Sequence, residues 1–220
     1  MMKEYLLYAG MVLGIPIFYW LLLEWQKPHF ELEENQNRKI FKSVVEIVSI
    51  LISEAAFIKL IYEYKNEWIT ELNFILLYMV LVIMTVLHMT DLWEKIVPNR
   101  ILLAMILAGT SIIGYFSVKD INQVVSKLSS FILGFLFCFI TFGLAYMVSR
   151  GSLGSGDVKL AFLLGIFLTG DYIVGTIFYG CLAGSFYSII QLWRKRLKRT
   201  DELPFVPFLY IGLIITYFMG

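Results

Sequence analysis

Long apolar segments alternate with short polar ones along the chain, and this alternation predicts a membrane protein. Several apolar segments reach about 18–20 residues, enough for a helix to cross a hydrocarbon layer about 30 Å thick. The sequence therefore predicts an all-α, polytopic membrane protein with about eight transmembrane helices. The predicted spans cover residues 5–23, 44–62, 72–89, 101–118, 129–149, 158–169, 172–193 and 204–219.

Two of these spans are unusual. The sixth has only about 12 apolar residues, which is too short to cross alone. Either it begins below the headgroups, with Asp157 already inside the membrane, or it is re-entrant. The second is interrupted at helical spacings by Glu46, Glu54 and Lys59. These charges predict a helix facing the bundle interior or a polar cavity, or alternatively an amphipathic helix at the interface.

Composition supports the membrane interpretation and leaves no soluble domain. Hydrophobic residues make up 59% of the chain and charged residues 16%, whereas about 25% of residues are charged in soluble domains. We expect a single integral membrane domain over residues 1–220, with residues 24–43 as a short loop. The first span lacks a small-residue cleavage site and is interpreted as a retained helix. A net charge of +1, sorted into loops, does not predict a nucleic-acid partner.

Basic residues predict the orientation. With eight spans, one set of loops holds 13 Lys and Arg residues and the opposite set holds four. Cytoplasmic loops carry the excess of basic residues. This rule places both termini outside, and it puts Asp91 and Asp157 at the cytoplasmic ends of their helices.

The glycine-rich segment 151–160, Gly-Ser-Leu-Gly-Ser-Gly-Asp-Val-Lys-Leu, lies between two apolar spans. Gly154 and Gly156 allow φ > 0 and the close approach of another chain. Asp157 follows where helical periodicity resumes, and an ionisable residue beside membrane-depth sequence is a functional-site hypothesis. The alternative is an N-cap aspartate after an ordinary loop.

Two aspartates at one depth are the pair that aspartic proteolysis needs. Like charges about 3 Å apart cannot both ionise, so one carboxyl stays protonated while the other activates water. Equal depth alone does not bring Asp91 against Asp157; the packing of the third and sixth spans must do that. The histidines, His29 and His88, form no recognisable triad or zinc motif. No metal or cofactor is predicted, since Cys138 and Cys181 lack metal-ligand spacing.

Three motifs resemble those of the type IV prepilin peptidases. Residues 91–99, Asp-Leu-Trp-Glu-Lys-Ile-Val-Pro-Asn, resemble the family's first-aspartate motif, and residues 154–160 resemble its Gly-x-Gly-Asp motif. Residues 203–208, Leu-Pro-Phe-Val-Pro-Phe, are similar to the opening of its last helix. Presenilin-like proteases share Gly-x-Gly-Asp, but they place Tyr where Thr90 stands here.

The resemblance implies a membrane aspartic endopeptidase of the bacterial cell membrane that acts on its cytoplasmic side. It would remove the basic leader of prepilins or pseudopilins, whether for competence, secretion or adhesive pili. Asp91 and Asp157 would be the catalytic pair. The supporting or substrate-binding positions that it implies are Pro98, Asn99, Gly154, Gly156, Lys159, Pro204 and Pro207.

The sequence departs from the family in one respect, and two rival functions stay open. Many members carry a cytoplasmic domain with zinc-binding Cys-x-x-Cys pairs and also N-methylate the new terminus. Residues 24–43 contain no cysteine, which makes N-methyltransferase activity doubtful. The rivals are a non-catalytic pilin assembly factor and a small cation-coupled transporter, in which the aspartates would bind cations.

Overall fold

The described part of the chain is helical throughout and contains no β-strand. The computed structural model describes residues 16–17, 20, 36–148, 154–168, 170–194 and 203–219. From residue 36 onwards its helices are α1 (Gln36–Lys65), α2 (Glu71–Glu94), α3 (Asn99–Lys119), α4 (Ile121–Val148), α5 (Ser155–Phe167), α6 (Gly170–Trp193) and α7 (Val206–Met219). The predicted first span and the residues from 149 to 153 lie outside the described residues, apart from the short piece near residue 17.

Helix α2 is the centre of the bundle. Apolar residues lie all around this helix, and 89% of its most apolar 18-residue segment is buried. A helix that is hydrophobic all round finds its partners only inside a protein or a membrane. Helices α1, α3, α5 and α7 all pack against it. The catalytic candidate Asp91 lies on this central helix.

The outer helices carry apolar side chains on their exposed faces. In α3, α4 and residues Tyr172–Trp193 of α6, the buried fraction of the most apolar 18-residue segment is only 28%, 22% and 17%, respectively. Exposed apolar surface of this extent is typical of a lipid-facing helix. Together with α2, these are the four described helices that are long and apolar enough to cross a membrane. The predicted total of about eight spans is not confirmed.

The segment predicted as a short sixth span is a short helix, α5; that it lies in the membrane stays a prediction. It has 13 residues, and at 1.5 Å per residue it is about 20 Å long. Its companion α7 has 14 residues. Neither helix is long enough to cross the hydrocarbon layer by itself.

Several predicted boundaries were wrong, because helices continue beyond their apolar parts. The loop predicted over residues 24–43 is helical from Gln36, and the polar stretch 119–128 is helical from Ile121. Helix α2 also passes the predicted end at Asp91 and reaches Glu94, so the link to α3 is residues 95–98. Hydropathy locates the part of a helix in lipid, whereas its polar ends extend into the interface.

Of the charges that interrupt the predicted second span, Lys59 faces the bundle, which agrees with one of the two predicted alternatives. Lys59 lies 3.2 Å from Glu63 Oε1, and Tyr172 donates a hydrogen bond of 3.2 Å to Glu63 Oε2. Lys59 also donates to the carbonyl oxygen of Tyr217 near the end of α7. A lysine there satisfies a helix C-terminal carbonyl that has no partner within the helix.

The turn from α1 to α2 is a Schellman motif with a non-glycine residue at its left-handed position. The amide of Trp68 donates to the carbonyl of Glu63 and that of Glu67 to Tyr64, which is the paired pattern of this motif. Glu67 has φ 60°. The edge-to-face contact between Tyr62 and Trp68 is the apolar contact that frequently accompanies this motif.

Replacing Glu67 by glycine should stabilise the protein. A residue with a side chain is destabilised by about 1–2 kcal/mol in the left-handed conformation. Glycine avoids this cost, but it loses more backbone entropy on folding, which offsets part of the gain. We expect Glu67→Gly to raise the free energy of unfolding by about 1 kcal/mol, measured by thermal unfolding in detergent. Asn66→Gly is the control, since Asn66 lacks a positive φ. An equal gain from both would contradict the backbone explanation.

Candidate active site

Asp91 is buried in the last turn of α2, and its carboxylate meets the start of α7. Only 4% of the residue is exposed. The backbone amide of Val206, the first residue of α7, donates a hydrogen bond of 2.8 Å to Asp91 Oδ2. Amides in the first turn of a helix have no acceptor within the helix. The carboxylate therefore supplies the acceptor that α7 lacks, and the helix supplies a donor to a buried anion.

The chain leaves α2 one helical turn after Asp91. Lys95 has φ 53° and is the C-cap residue of α2. Its backbone amide donates a hydrogen bond of 2.9 Å to the carbonyl oxygen of Asp91. Residues 95–98 then lead to Pro98, the N-cap residue of α3. The fixed φ of proline suits this position, because it needs no amide hydrogen there. Thus the predicted supporting residue Pro98 forms the corner between the central helix and α3.

Asp157 lies in the first turn of α5 and is not its N-cap. The N-cap is Gly154, which makes no side-chain capping bond, and Asp157 is the third residue of the helix. The interpretation as an N-cap aspartate is therefore wrong. The side chain of Asp157 lies close to Gly154: a Cβ atom placed on Gly154 would be 2.9 Å from Asp157 Oδ2.

The two glycines allow close approach and do not provide a left-handed turn. Gly154 has φ −58°, and Gly156 lies within α5; the possibility of φ > 0 is not used at either position. A Cβ atom on Gly156 would lie 3.0 Å from Val97 Cβ and 3.4 Å from its carbonyl oxygen. The link that follows Asp91 consequently rests directly on the first turn of α5.

The other predicted residues surround the same end of the bundle. Lys159 Nζ lies 3.3 Å from Asn99 Oδ1, so it donates from α5 to the start of α3. Pro204 lies just before α7 and is half-buried, while Pro207 is buried in the first turn of that helix. A first-turn proline loses no hydrogen bond within the helix. The positions named from the sequence thus occupy neighbouring helix ends.

The surroundings of Asp157 disfavour its ionised form. Burial raises the pKa of Asp157 to about 6, and the negative charge of Asp91 contributes to the increase. Asp157 lies outside the four helices that are long enough to span. A like charge that destabilises an ionised carboxylate is the condition under which a pair retains one proton. Chemically, such a pair offers both an acid and a base.

Two features of the site were not predicted from the sequence: the backbone amide of Val206, and the buried polar side chains of α2 that precede Asp91. A backbone donor has no side-chain signature, although the Pro-Phe-Val-Pro-Phe segment marked its neighbourhood. His88 is buried in α2. No group of three or more metal-ligating side chains occurs among the described residues; His29 lies outside them.

The fold and the site define a class: a polytopic helical membrane protein with two acidic residues where helix ends meet. The family model of the type IV leader peptidase family matches residues 76–189. The chain belongs to this family. The match extends from the second turn of α2 almost to the end of α6 and includes both aspartates.

Curated relatives agree with the family assignment. The chain is 26% identical over 141 residues to a protein of Bacillus subtilis (strain 168) named Prepilin leader peptidase/N-methyltransferase, covering 63% of this chain and 53% of the relative. It is 27% identical over 133 residues to a protein of the same name from Burkholderia pseudomallei (strain 1026b), covering 59% and 41%. The chain spans about half the length of these relatives or less. No solved structure matches significantly.

The close contact at Gly156 gives a testable prediction. A methyl group in Gly156→Ala must displace Val97, so we expect the free energy of unfolding to fall by about 1 kcal/mol. Thermal unfolding in detergent measures the change. Gly114→Ala in α3 is the matched control, since a Cβ atom there has no neighbour within 4 Å. Equal behaviour of the two variants would show that Val97 does not restrict this position.

Proposed function

We propose that this chain is a membrane aspartic endopeptidase that cleaves the leader of prepilins or pseudopilins. The observation that carries the proposal is the meeting of α2 and α5 at their acidic ends. Val97 lies on Gly156, Asn99 accepts from Lys159, and the charge of Asp91 acts on Asp157. Family membership and the names of the relatives support the same activity.

In the proposed reaction, the pair shares one proton. The ionised carboxylate removes a proton from water as the oxygen attacks the scissile carbonyl carbon, and the protonated carboxyl donates to the carbonyl oxygen. The tetrahedral diol then collapses: one of its hydroxyls returns a proton to the carboxylate that had protonated the carbonyl, the C–N bond breaks, and the amine leaves with the proton that came from the water. The pair returns to its shared-proton state without any cofactor. The low dielectric around the buried Asp91 strengthens the coupling between the two carboxyls.

The distribution of basic residues supports cleavage on the cytoplasmic side. The loops that adjoin Asp91 and Asp157 belong to the set with 13 basic residues, and this set faces the cytoplasm by the positive-inside rule. A substrate with a basic leader before an apolar helix would present its junction at that interface. N-methyl transfer, which the relatives' names also mention, is not assigned to this chain, because residues 24–43 lack the cysteine pairs of the methylating members.

Neutralising either aspartate should abolish cleavage. Asn keeps the size of Asp and a hydrogen-bond acceptor for the Val206 amide but cannot exchange a proton. We expect Asp91→Asn and Asp157→Asn to lower the rate of prepilin cleavage by roughly a hundred- to ten-thousandfold, measured as the shift of the leader on a gel.

Asp120→Asn is the matched control for these variants. Asp120 follows α3 at the other end of that helix, where it accepts from the Asn122 amide, and its variant should cleave like the wild type. A folded Asp91→Asn or Asp157→Asn protein that cleaves at a wild-type rate would refute the two-aspartate mechanism. A folded wild-type protein that cleaves no prepilin, with several substrates tried, would refute the proposed activity and favour the assembly-factor or transporter alternatives.

The rate should also fall as the pH rises. Because the pKa of Asp157 is raised to about 6, its proton is held below that pH and lost above it. We therefore expect kcat to decrease as the pH increases past about 6, since two ionised carboxylates leave no acid. A profile of kcat against pH at constant ionic strength tests this. A kcat that keeps rising through the neutral range would contradict a proton held by the pair.

A further inference from the structure

Helix α7 contacts the central helix at a second point, one turn from Asp91. The rings of His88 on α2 and Tyr210 on α7 are stacked, with centroids 4.1 Å apart and an interplanar angle of 5°. His88 precedes Asp91 by three residues, and Tyr210 follows Val206 by four. Residues at these spacings share one face of a helix. The two antiparallel helices therefore meet at two successive turns of the same faces.

The hydroxyl of Tyr210 fixes this arrangement to α1. It donates a hydrogen bond of 3.0 Å to the carbonyl oxygen of Ser49 and lies 2.7 Å from Ser53 Oγ. Ser53 Oγ in turn lies 2.7 Å from Thr85 Oγ1 on α2. All four side chains are buried, where hydrogen bonds are strong and their loss is costly. The Tyr210 hydroxyl thus connects α7 to α1 directly, and to α2 through the Ser53 hydroxyl.

The two kinds of contact constrain different movements. Stacked rings tolerate a small slide past one another, whereas a hydrogen bond weakens steeply when its distance or angle changes. A local shift of the first two turns of α7 would move the Val206 amide away from Asp91 Oδ2. The directional bonds of Tyr210, one turn from Val206, oppose that local shift, whereas a bond two turns further along the helix opposes it less.

We propose that Tyr210 is a positioning residue for Asp91: its hydroxyl bonds hold the first two turns of α7 in place, so that the Val206 amide stays directed at the Asp91 carboxylate. The hydroxyl of Tyr210 bonds to Ser49 and Ser53 rather than to either aspartate, and it acts through Val206. The inference rests on the proposed peptidase function for its kinetic consequence but not for its structural one.

Tyr217 provides a control within the same helix. It is buried like Tyr210, and its hydroxyl donates a hydrogen bond of 2.9 Å to the carbonyl oxygen of Leu77 on α2. It lies two turns further along α7, away from Val206. Tyr210→Phe and Tyr217→Phe each keep the ring and remove one buried hydroxyl, so a general loss of stability affects both.

The kinetic experiment compares these variants with a synthetic prepilin that carries a basic leader before a hydrophobic helix. We expect Tyr210→Phe to lower kcat about tenfold with KM unchanged, because the carboxylate loses its orientation while substrate contacts persist. Tyr217→Phe should retain the wild-type kcat once the fraction of folded protein is matched. Equal kcat values for the two variants would overturn the inference.

A second experiment requires no activity. Asp91→Ala removes the acceptor of the Val206 amide, and its shift in unfolding temperature is measured alone and with each Tyr→Phe change. Contacts that act through one another give non-additive shifts, whereas independent ones add. We expect Asp91→Ala and Tyr210→Phe together to shift the temperature less than the two single shifts combined, and Asp91→Ala and Tyr217→Phe to add.

The two experiments separate the possible failures. If wild-type protein cleaves no prepilin, the proposed function fails, and the unfolding measurements still test the positioning. If cleavage depends on both aspartates but the shifts of Asp91→Ala and Tyr210→Phe are additive, the proposed function stands and the role of Tyr210 is refuted.

Discussion

A carboxylate buried at the end of the most enclosed helix constrains the whole arrangement. Desolvating an unpaired charge is expensive, so Asp91 requires a donor in its immediate surroundings. The structure provides that donor from a helix start, where the Val206 amide has no other acceptor. Two unsatisfied groups are thereby satisfied by one bond. The position of α7 against α2 follows from this requirement as much as from apolar packing.

The same end of the bundle depends on small residues and proline at its connections. Gly156 admits the link that follows Asp91, and Pro98 turns that link into α3. A bulky side chain at the first position would push apart the two elements that carry the acidic groups. Precise geometry at an acidic pair therefore originates in the connections as well as in the carboxylates themselves.

The sequence predicted the all-helical class and named Asp91 and Asp157 as candidates, but it did not predict features that depend on the backbone or on how the helices cross. Asp91 and Asp157 stand in motifs whose order along the chain is recognisable. The amide of Val206 is chemically the same as any other, and its role depends on how α7 crosses α2. The stacking of His88 on Tyr210 likewise requires a crossing geometry that helical periodicity does not contain. The starts of α1 and α4 were predicted too late from hydropathy, since the first turns of both helices contain polar residues.

The shortness of α5 and α7 has a consequence for the surrounding lipid. Both helices begin beside the acidic residues, and at about 20 Å each is shorter than the hydrocarbon layer. A bilayer adapts to a short hydrophobic segment by becoming thinner around it. Local thinning would carry the polar interface, with its water, down to the level of Asp157. On the proposed function, such thinning would supply the water that the reaction consumes at the depth of Asp157.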